Sequence, residues 1–395
     1  MLYRINTKNG DRISQLGLGC MRFPRVGAVI DQEKTNELVQ AAIGLGINFF
    51  EAAYIYPGAE DALGKAIKAT GERDNVFLGT KLPHFMCKKA GDFEKFFNIQ
   101  LNRLRTDWID YYFIHMLSNI ESWERMKSLG IVSWIEKKRE EGKVRNIGFS
   151  FHGGFNAFNE LLDAYNWDFC MVQYNYYDEN DQAGVSGVRA AHARNIPVFI
   201  MEPIRGGMLA DRLPDAALKI FRNANQERQP VVWALRWLFD QPELTLILSG
   251  MSTLDQLMEN ASVADEVMPG AINEEERAVY RDVVAKLRKT TLIPCTSCGY
   301  CMPCPKGVDI PACFSCYNAS RVFRRIPGIK QYVQVTGQWT PTRGDASKCI
   351  GCGKCEQLCP QGLAISSELR AVRRRLWSFC VIPLMSILRK IWGVR

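Results

Sequence analysis

Eight cysteines in two short segments have the spacing that points most directly to chemistry. The first segment, CTSCGYCMPCPKG (295–307), has a cysteine at every third position, and the second, CIGCGKCEQLCP (349–360), nearly repeats it. Each has the form Cys-x2-Cys-x2-Cys followed by a Cys-Pro pair, which supplies thiolates to an iron-sulfur cluster. Cys-x2-Cys pairs also bind zinc, but zinc sites separate two such pairs by a longer loop. The spacing therefore favours iron-sulfur clusters over zinc.

The ligand sets follow from a resemblance. The two segments resemble those of bacterial dicluster ferredoxins, in which the last cysteine of each segment binds the other cluster. The resemblance implies two 4Fe-4S clusters, one bound by Cys295, Cys298, Cys301 and Cys359, and the other by Cys349, Cys352, Cys355 and Cys304. In one departure, two residues and not three precede the last cysteine of the first segment. Cys313 and Cys316 form another Cys-x2-Cys, for which we favour a packing role.

The first 265 residues alternate between two kinds of segment. Eight short β-branched or aromatic runs, from LGLGC (16–20) to LTLILSG (244–250), are separated by segments with helical periodicity. Strands that are apolar on both faces and alternate with helices predict a closed parallel (β/α)8 barrel, an α/β fold. No G-x-G-x-x-G motif follows the first run, which argues against a Rossmann domain.

Ionisable residues end several of the predicted strands. Glu51, Lys81 and His115 end the second, third and fourth strands, and Tyr56 lies in the loop after the second. Active sites of such barrels lie at the carboxyl ends of the strands. We therefore expect these four side chains to share one pocket.

Six segments in this region, in this order, resemble the aldo-keto reductase family over roughly residues 10 to 265. They are GINFFEAAYIYPGAEDALGKAI, LGTKLP, RTDWIDYYFIH, EGKVRNIGFS, VQYNYYD and SGMSTLDQLMEN. The resemblance implies that Tyr56 donates or accepts the proton, that Lys81 lowers the pKa of Tyr56, and that His115 polarises a substrate carbonyl. Glu51 takes the place of the family's aspartate, one methylene shorter.

These roles agree with elementary chemistry. A carbonyl that accepts hydride develops negative charge on its oxygen, and a phenol can neutralise that charge if a cation lowers its pKa from about 10. The longer side chain of Glu51 either keeps the ion pair with Lys81 or directs its carboxylate towards the ligand.

The resemblance also implies a cofactor, NAD(P)H or, as an alternative, a flavin such as FMN. Ser150 and Gln173 match family residues that bind the nicotinamide carboxamide, whereas Phe151 replaces an asparagine and Met201 replaces an aromatic residue. No basic side chain stands where many members bind the phosphate of NADP. The expected cofactor-binding residues are Ser150, Gln173, Met201, Arg205, Gly250, Ser252, Gln256, Glu259 and Asn260.

The chain as a whole resembles a branch of the aldo-keto reductases that carries a C-terminal ferredoxin-type domain. We expect a TIM barrel over 1–265, a linker with closing helices over 266–289, a small ferredoxin-like iron-sulfur domain over 290–368, and a basic amphipathic tail over 369–395. His152, Glu202 and Arg205 also end predicted strands, where a role in lining the pocket and a plain surface role are equally consistent with the sequence.

The tail holds most of the net charge of +8, because residues 369–395 contain seven Arg or Lys and no Asp or Glu. The folded body therefore lacks the basic face of a nucleic-acid-binding protein. The apolar run from Leu376 to Leu388 is too short to span about 30 Å of hydrocarbon. It predicts either peripheral membrane contact, with Trp377, Phe379 and Trp392 as anchors, or a helix packed on protein.

The distribution of cysteine predicts a reducing compartment. Ten of the fourteen cysteines lie between 295 and 359, and the N-terminus has no apolar run typical of a signal peptide. We therefore expect a cytoplasmic protein.

Two functional hypotheses remain at this point. The first is an oxidoreductase that acts on a small carbonyl or alcohol substrate, whose clusters relay electrons to or from a ferredoxin-like, flavodoxin-like or quinone-linked partner. The second is a non-catalytic electron-transfer subunit whose barrel has a degenerate active site.

Overall fold

The structure is a computed structural model that describes residues 1–289, 292–295, 299–323, 325–337, 344–359 and 361–376. Cys298, Pro360 and the predicted membrane anchors of the tail lie outside these residues. Within the described residues, no helix combines the length and the apolar character that crossing a membrane would require.

Eight parallel strands close into a barrel, as predicted. Neighbours along the chain are neighbours in the barrel, and the last strand pairs with the first through Ile247 and Leu16. The strands are β1 Leu16–Gly19, β2 Phe49–Glu51, β3 Phe77–Leu82, β4 Ile109–Leu117, β5 Val144–Phe151, β6 Phe169–Gln173, β7 Val198–Met201 and β8 Leu244–Ser249. Two antiparallel hairpins lie outside it, Tyr3–Ile5 with Arg12–Ser14 and Arg25–Val26 with Val29–Ile30.

Aromatic side chains fill the barrel interior. Phe169 and Phe199 stack with their ring centroids 4.9 Å apart, and Tyr111 and Phe113 pack edge-on against Phe169. Gly148 allows this close packing, because a Cβ there would lie 2.3 Å from the Phe169 carbonyl oxygen. A filled interior leaves chemistry to the ends of the strands.

Helices surround the barrel and close it on the outside. They are α1 Gln32–Gly44, α2 Ala59–Thr70, α3 Gly91–Leu104, α4 Ile120–Ser128, α5 Ile131–Glu140, α6 Phe155–Asp163, α7 Gly184–Ala193, α8 Asp215–Ala224, α9 Pro230–Phe239 and α10 Leu254–Glu266. Short 3-10 turns follow β1, β3 and β7, at Cys20–Arg22, His84–Met86 and Arg205–Gly207, and another at Arg73–Asn75 joins α2 to β3.

The cysteine-rich part of the chain is helical between its cysteine segments. Its helices are α12 Ile310–Val322, α13 Arg325–Val335, α14 Lys354–Gln357 and α15 Ile365–Leu376, preceded by α11 Glu274–Arg288 and with a 3-10 turn at Ala346–Lys348. They enclose a second hydrophobic core. The expected boundary at 368 falls inside α15, whose Leu369, Val372 and Leu376 are buried in that core.

The two cores meet in a third apolar cluster. Tyr177 from the loop after β6, Leu287 of α11, and Ala319 and Phe323 from α12 and its C-terminus belong to this cluster. The rings of Tyr177 and Phe323 are in edge-to-face contact at 5.2 Å. The cysteine-rich part therefore packs against loops at the carboxyl end of the barrel.

Candidate functional site

A chain of three polar groups, two of them buried and one half-buried, lies at the carboxyl ends of β2 and β3. Lys81 donates a hydrogen bond from Nζ to the Tyr56 hydroxyl at 3.0 Å and forms an ion pair with Glu51. Glu51 and Lys81 are 5% and 2% exposed, whereas Tyr56 is half-buried. β2 pairs with β3 through Glu51 and Gly79, which brings both side chains to the same end of the barrel. The longer side chain of Glu51 thus keeps the ion pair with Lys81.

His115 completes this group from β4. Its ring lies edge-on to Tyr56, with centroids 6.0 Å apart and planes at 84°, and the imidazole is 4% exposed. Within the described part of the chain, its Nδ1 has no hydrogen-bond partner. The four residues expected to form a pocket are therefore brought together.

A bulge in β4 sets the direction of His115. The pairing of β4 with β5 shifts between Ile114 and Leu117, and Met116 adopts a positive φ of 59°. The Met116 amide donates a hydrogen bond of 2.8 Å to the Ser150 hydroxyl oxygen. Ser150, expected to bind the cofactor, thus stabilises the bulge beside His115.

Burial controls the protonation of these groups. It raises the pKa of the Tyr56 hydroxyl, and the charges of Glu202 and Cys20 act in the same direction. It also lowers the pKa of Lys81 well below its usual value. Desolvation of the phenol is the largest of these effects on the Tyr56 pKa, and a lowering of that pKa by Lys81 stays a prediction. Tyr56 is a protonated phenol, ready to donate.

Histidines concentrate around this pocket. Burial lowers the pKa of His115 well below its usual value, and nearby Lys81, His152 and His84 add to the effect. Burial likewise lowers the pKa of His84 to about 3 and that of His152 to about 4. Three of the four histidines in the chain are thus neutral near the site.

Sequence reasoning missed His84 and Cys20. His84 lies just after β3, where Arg125 Nη2 approaches its Nδ1 at 3.4 Å, and its position three residues after LGTK was an available signal. Cys20 is fully buried just after β1, close enough to Lys81 for its charge to act on the lysine pKa.

Two expected cofactor ligands are held by a buried carboxylate. Asp178 accepts hydrogen bonds from Gln173 at 2.9 Å and from Arg205 at 2.8 Å. Burial alone would raise the pKa of Asp178, but Arg205 and the hydrogen bonds keep it low. Arg205 is fully buried. Its guanidinium carbon lies 5.2 Å from the ring centroid of Tyr177 and 5.3 Å from that of Phe323. This arginine therefore joins the barrel to α12 and does not point into an open pocket.

The remaining expected cofactor residues lie around the ends of β7 and β8. Asn260 donates a hydrogen bond to the Ser249 hydroxyl at 3.0 Å. The backbone amide of Ser252 donates one to the side-chain oxygen of Gln256 at 2.9 Å. Met201 is half-buried at the end of β7, and Glu259 is half-buried on α10. A Cβ at Gly250 would lie 3.0 Å from Arg22 Cδ. Arg22 is an exposed cation at this rim that the sequence did not reveal.

The cysteine segments form two groups of thiols. Cys295 and Cys301 line one apolar cavity together with Cys359 of the other segment, and Ile310 and Phe314 of α12 form part of its wall. This grouping agrees with the exchange of the last cysteine that the ferredoxin resemblance implies, and the full ligand sets stay a prediction. Cys304 and Cys349 lie close enough to Cys355 to raise the pKa of its thiol, after the larger effect of burial.

The thiols surround a space and do not meet at a point. Among the described residues, no three His, Cys, Asp or Glu side chains converge as the ligands of a single metal ion would. Cys352 is exposed, whereas Cys313 and Cys316 are buried in α12, in keeping with a packing role. The donor set and its apolar walls fit 4Fe-4S clusters.

A separate cavity lies at the other end of the barrel. A space of about 330 Å³ opens at the amino end of the barrel, lined by residues such as Tyr3, Arg4 and His192. None of the groups of the Tyr56 site lines it. Chemistry, and not cavity size, therefore identifies the candidate active site.

Comparison with known proteins agrees with this arrangement. Residues 15–271 match the model of the aldo/keto reductase family, and residues 294–364 match that of a 4Fe-4S dicluster domain. The first match covers well over half of the chain, which therefore belongs to the aldo/keto reductase family. The second places an iron-sulfur domain after the barrel.

Individual relatives are distant. The aldo-keto reductase yakc of Schizosaccharomyces pombe, whose name specifies NADP(+), is 27% identical over 219 residues, 52% of this chain and 63% of that protein. L-galactose dehydrogenase of Arabidopsis thaliana is 24% identical over 304 residues, 71% of this chain and 94% of the relative.

Solved structures match the fold. The holo form of an aldo-keto reductase from Bacillus halodurans superposes with a TM-score of 0.60 at 25% identity, covering 72% of this chain and 96% of that one. An aldo-keto reductase from Klebsiella pneumoniae in complex with NADPH gives a TM-score of 0.58 at 20% identity. The match covers 72% of this chain and 95% of that chain.

Proposed function

We propose that the barrel interconverts a carbonyl and an alcohol on a small molecule by hydride transfer, and that two 4Fe-4S clusters carry electrons between the barrel and a one-electron partner. The observation that carries this proposal is the buried chain Glu51–Lys81–Tyr56, with His115 beside the phenol. An intact chain of this kind argues against a barrel that has lost turnover.

Tyr56 supplies the proton in the direction of carbonyl reduction. As the carbonyl oxygen gains negative charge, the phenol transfers its proton, and the phenolate that forms lies 3.0 Å from the Lys81 ammonium. The cation therefore contributes most when the charge develops on the phenol, which is the condition for catalysis. Glu51 holds Lys81 in place through their ion pair, and neutral His115 offers a second hydrogen-bond donor to the same oxygen.

The barrel cofactor that we propose is NADP(H), supported by the name of the fission-yeast relative. A nicotinamide supplies or accepts the hydride. The residues that would hold it are Gln173 and Met201 inside the mouth, with Ser252 and Asn260 at the rim and Arg22 as an exposed cation beside Gly250. Ser150 would support it indirectly, through the bulge in β4.

The position of α12 supports an electron path between the clusters and the barrel. One face of this helix, with Ile310 and Phe314, lines a cluster cavity, whereas Ser315 and Ala319 contact the barrel side. One helix diameter, about 10–12 Å, thus separates the cavity from the loop after β6. Two clusters, each accepting one electron, together balance the two electrons of a hydride, and a proton is released.

Exposed apolar side chains beside the cysteines support an external partner. Tyr300, Ile350 and Leu358 are 68%, 65% and 59% exposed, and each lies within a cysteine segment. Apolar patches that are exposed to solvent are typical of binding surfaces. A small one-electron carrier of the ferredoxin or flavodoxin kind fits this position.

Replacing Tyr56 with Phe tests the function. We expect Tyr56→Phe to reduce carbonyl turnover with NADPH or NADH by about 10²- to 10⁴-fold, the usual contribution of a positioned acid. The assay uses anaerobically purified holoprotein and a panel of aldehydes and ketones. Tyr54→Phe is the matched control, because the Tyr54 ring packs against Phe96 and the Arg103 guanidinium.

Equal activity of the wild type and Tyr56→Phe would contradict the role of the phenol. Absence of turnover in both, with iron intact, would instead support the electron-transfer subunit without catalysis.

A further inference from the structure

His152 is the point at which the iron-sulfur domain reaches the barrel site. It follows β5 and is 2% exposed, and its backbone amide donates a 2.9 Å hydrogen bond to the carbonyl of Leu117, two residues after His115. It is also close enough to His115 for a charge on His152 to lower the pKa of His115. His152 therefore lies beside the proposed carbonyl site.

Both ring nitrogens of His152 have partners, one from each domain. Nδ1 lies 3.1 Å from Oε1 of Gln182 in the loop after β6, and Nε2 lies 2.7 Å from the side-chain amide nitrogen of Gln334 on α13. A neutral imidazole that donates from Nδ1 to Gln182 can accept at Nε2 from Gln334, so one tautomer satisfies both contacts.

The loop that holds Gln182 is itself fixed by the iron-sulfur domain. Ser315 of α12 donates a 2.6 Å hydrogen bond to the carboxylate of Asp181, the residue before Gln182. Gln182 adopts a positive φ of 57°, a conformation that costs energy outside glycine and persists where neighbours enforce it. Two helices of the iron-sulfur domain thus act on His152, α13 directly and α12 through this loop.

We propose that the iron-sulfur domain completes the carbonyl-binding pocket, with Gln334 as a positioning residue that holds His152 against the barrel site. This rests on the proposed function. In this arrangement, the imidazole forms the β5 side of the pocket, and residues of the second domain contribute to substrate specificity. An aldo/keto reductase barrel without this domain would need another residue in the place of Gln334.

Chemical labelling tests the contact without any turnover. Diethyl pyrocarbonate acylates accessible, neutral imidazoles, and the exposed His192 serves as an internal standard in the same molecule. We expect His152 to be protected in the wild-type holoprotein and in Lys330→Ala, an exposed position on the same helix, and to be labelled in Gln334→Ala. Labelling of His152 in the wild type at the rate of His192 would overturn the proposal.

Steady-state kinetics tests the role in substrate binding. We expect Gln334→Ala to raise KM for the carbonyl about tenfold, the effect of one hydrogen bond, with little change in kcat, in KM for the nicotinamide or in iron content. The effect should disappear in a His152→Leu background, because the two residues act as one unit. An undiminished effect in that background would overturn the role of Gln334 through His152.

The two proposals fail in different ways. A wild-type protein with no carbonyl turnover overturns the proposed function and the substrate role of His152 with it, whereas the labelling pattern still decides whether Gln334 covers the imidazole.

Discussion

At the scale of single residues, the site depends on a lysine whose charge is compensated inside the protein. Lys81 and Glu51 are both buried, so each would be costly without the other. Tyr56 is uncharged before the reaction and gains a nearby cation as it loses its proton. The charge of Lys81 therefore stabilises Tyr56 only as the phenol loses its proton.

Removing Lys81 alone should destabilise the barrel. Lys81→Met leaves the Glu51 carboxylate buried without its cation, so we expect the free energy of unfolding to fall by about 3–5 kcal/mol. The double variant Lys81→Met/Glu51→Gln removes the uncompensated charge and should recover most of this loss. Urea denaturation of the three proteins measures the difference. A double variant no more stable than Lys81→Met would show that the ion pair is not the cause.

The buried histidines predict sensitivity to acid. The pKa values of His84 and His152, about 3 and about 4, lie below the value near 6.5 of an unfolded chain. Between these values the unfolded chain binds more protons, so stability is full above about pH 6.5 and falls as the pH drops towards the folded values. Melting temperatures from pH 7 to pH 4 should therefore fall less in His84→Gln than in the wild type; identical slopes would exclude a contribution from His84.

The residues of the candidate site could be predicted from the sequence, but the role of Arg205 could not. Glu51, Lys81 and His115 end predicted strands, and the geometry of a barrel brings strand ends together. Arg205 also follows a strand, and its partner Asp178 ends the VQYNYYD segment 27 residues earlier, but the residue types of that segment do not indicate the pairing. Pairing between loops depends on packing that a sequence pattern does not contain.

At the scale of elements, the contact between α2 and α3 supports the site from outside. Glu60 of α2 accepts hydrogen bonds from Thr80 of β3 and from Gln100 of α3, so these helices help fix the strand that carries Lys81. The strands themselves could be predicted from their apolar runs. The bulge at Met116 could not, because a positive φ at methionine has no signal in its residue type.

Gly64 makes this helix contact possible. A Cβ at Gly64 would lie 2.3 Å from the Arg103 carbonyl oxygen, so Gly64→Ala must push the helices apart and should cost about 1–3 kcal/mol of stability. Gly44→Ala is the matched control, because nothing lies within 4 Å of its Cβ and alanine favours a helix by up to about 1 kcal/mol. Thermal unfolding should show a lower midpoint only for Gly64→Ala; equal midpoints would contradict the close contact.

At the scale of the whole molecule, the iron-sulfur domain and the barrel share contacts at the mouth of the candidate site. Phe323 covers Arg205, Ser315 bonds Asp181, and Gln334 bonds His152. The cysteine spacing predicted the second domain and its clusters. It could not predict which barrel loops the domain would cover, because none of these contact residues belongs to a motif.

The exchange of cysteines between segments predicts how each cluster can be lost. Cys359→Ser should remove the cluster of Cys295 and Cys301, and Cys304→Ser should remove the other, so that each lowers the iron content from about eight to about four per chain. Cys316→Ala, within the packed face of α12, should keep both clusters. Iron analysis of anaerobic preparations measures the iron content of the three variants. Loss of iron in Cys316→Ala would mean that this thiol is a ligand.

The most direct test of a barrel and two clusters working as one redox unit is an anaerobic titration of the oxidised holoprotein with NADPH, without any carbonyl. We predict that nicotinamide oxidation and loss of cluster absorbance proceed together, with about two clusters reduced per NADPH, because a hydride carries two electrons and each cluster accepts one. Clusters that stay oxidised while NADPH is consumed only after a carbonyl is added would contradict the electron path and leave the iron-sulfur domain with a structural role.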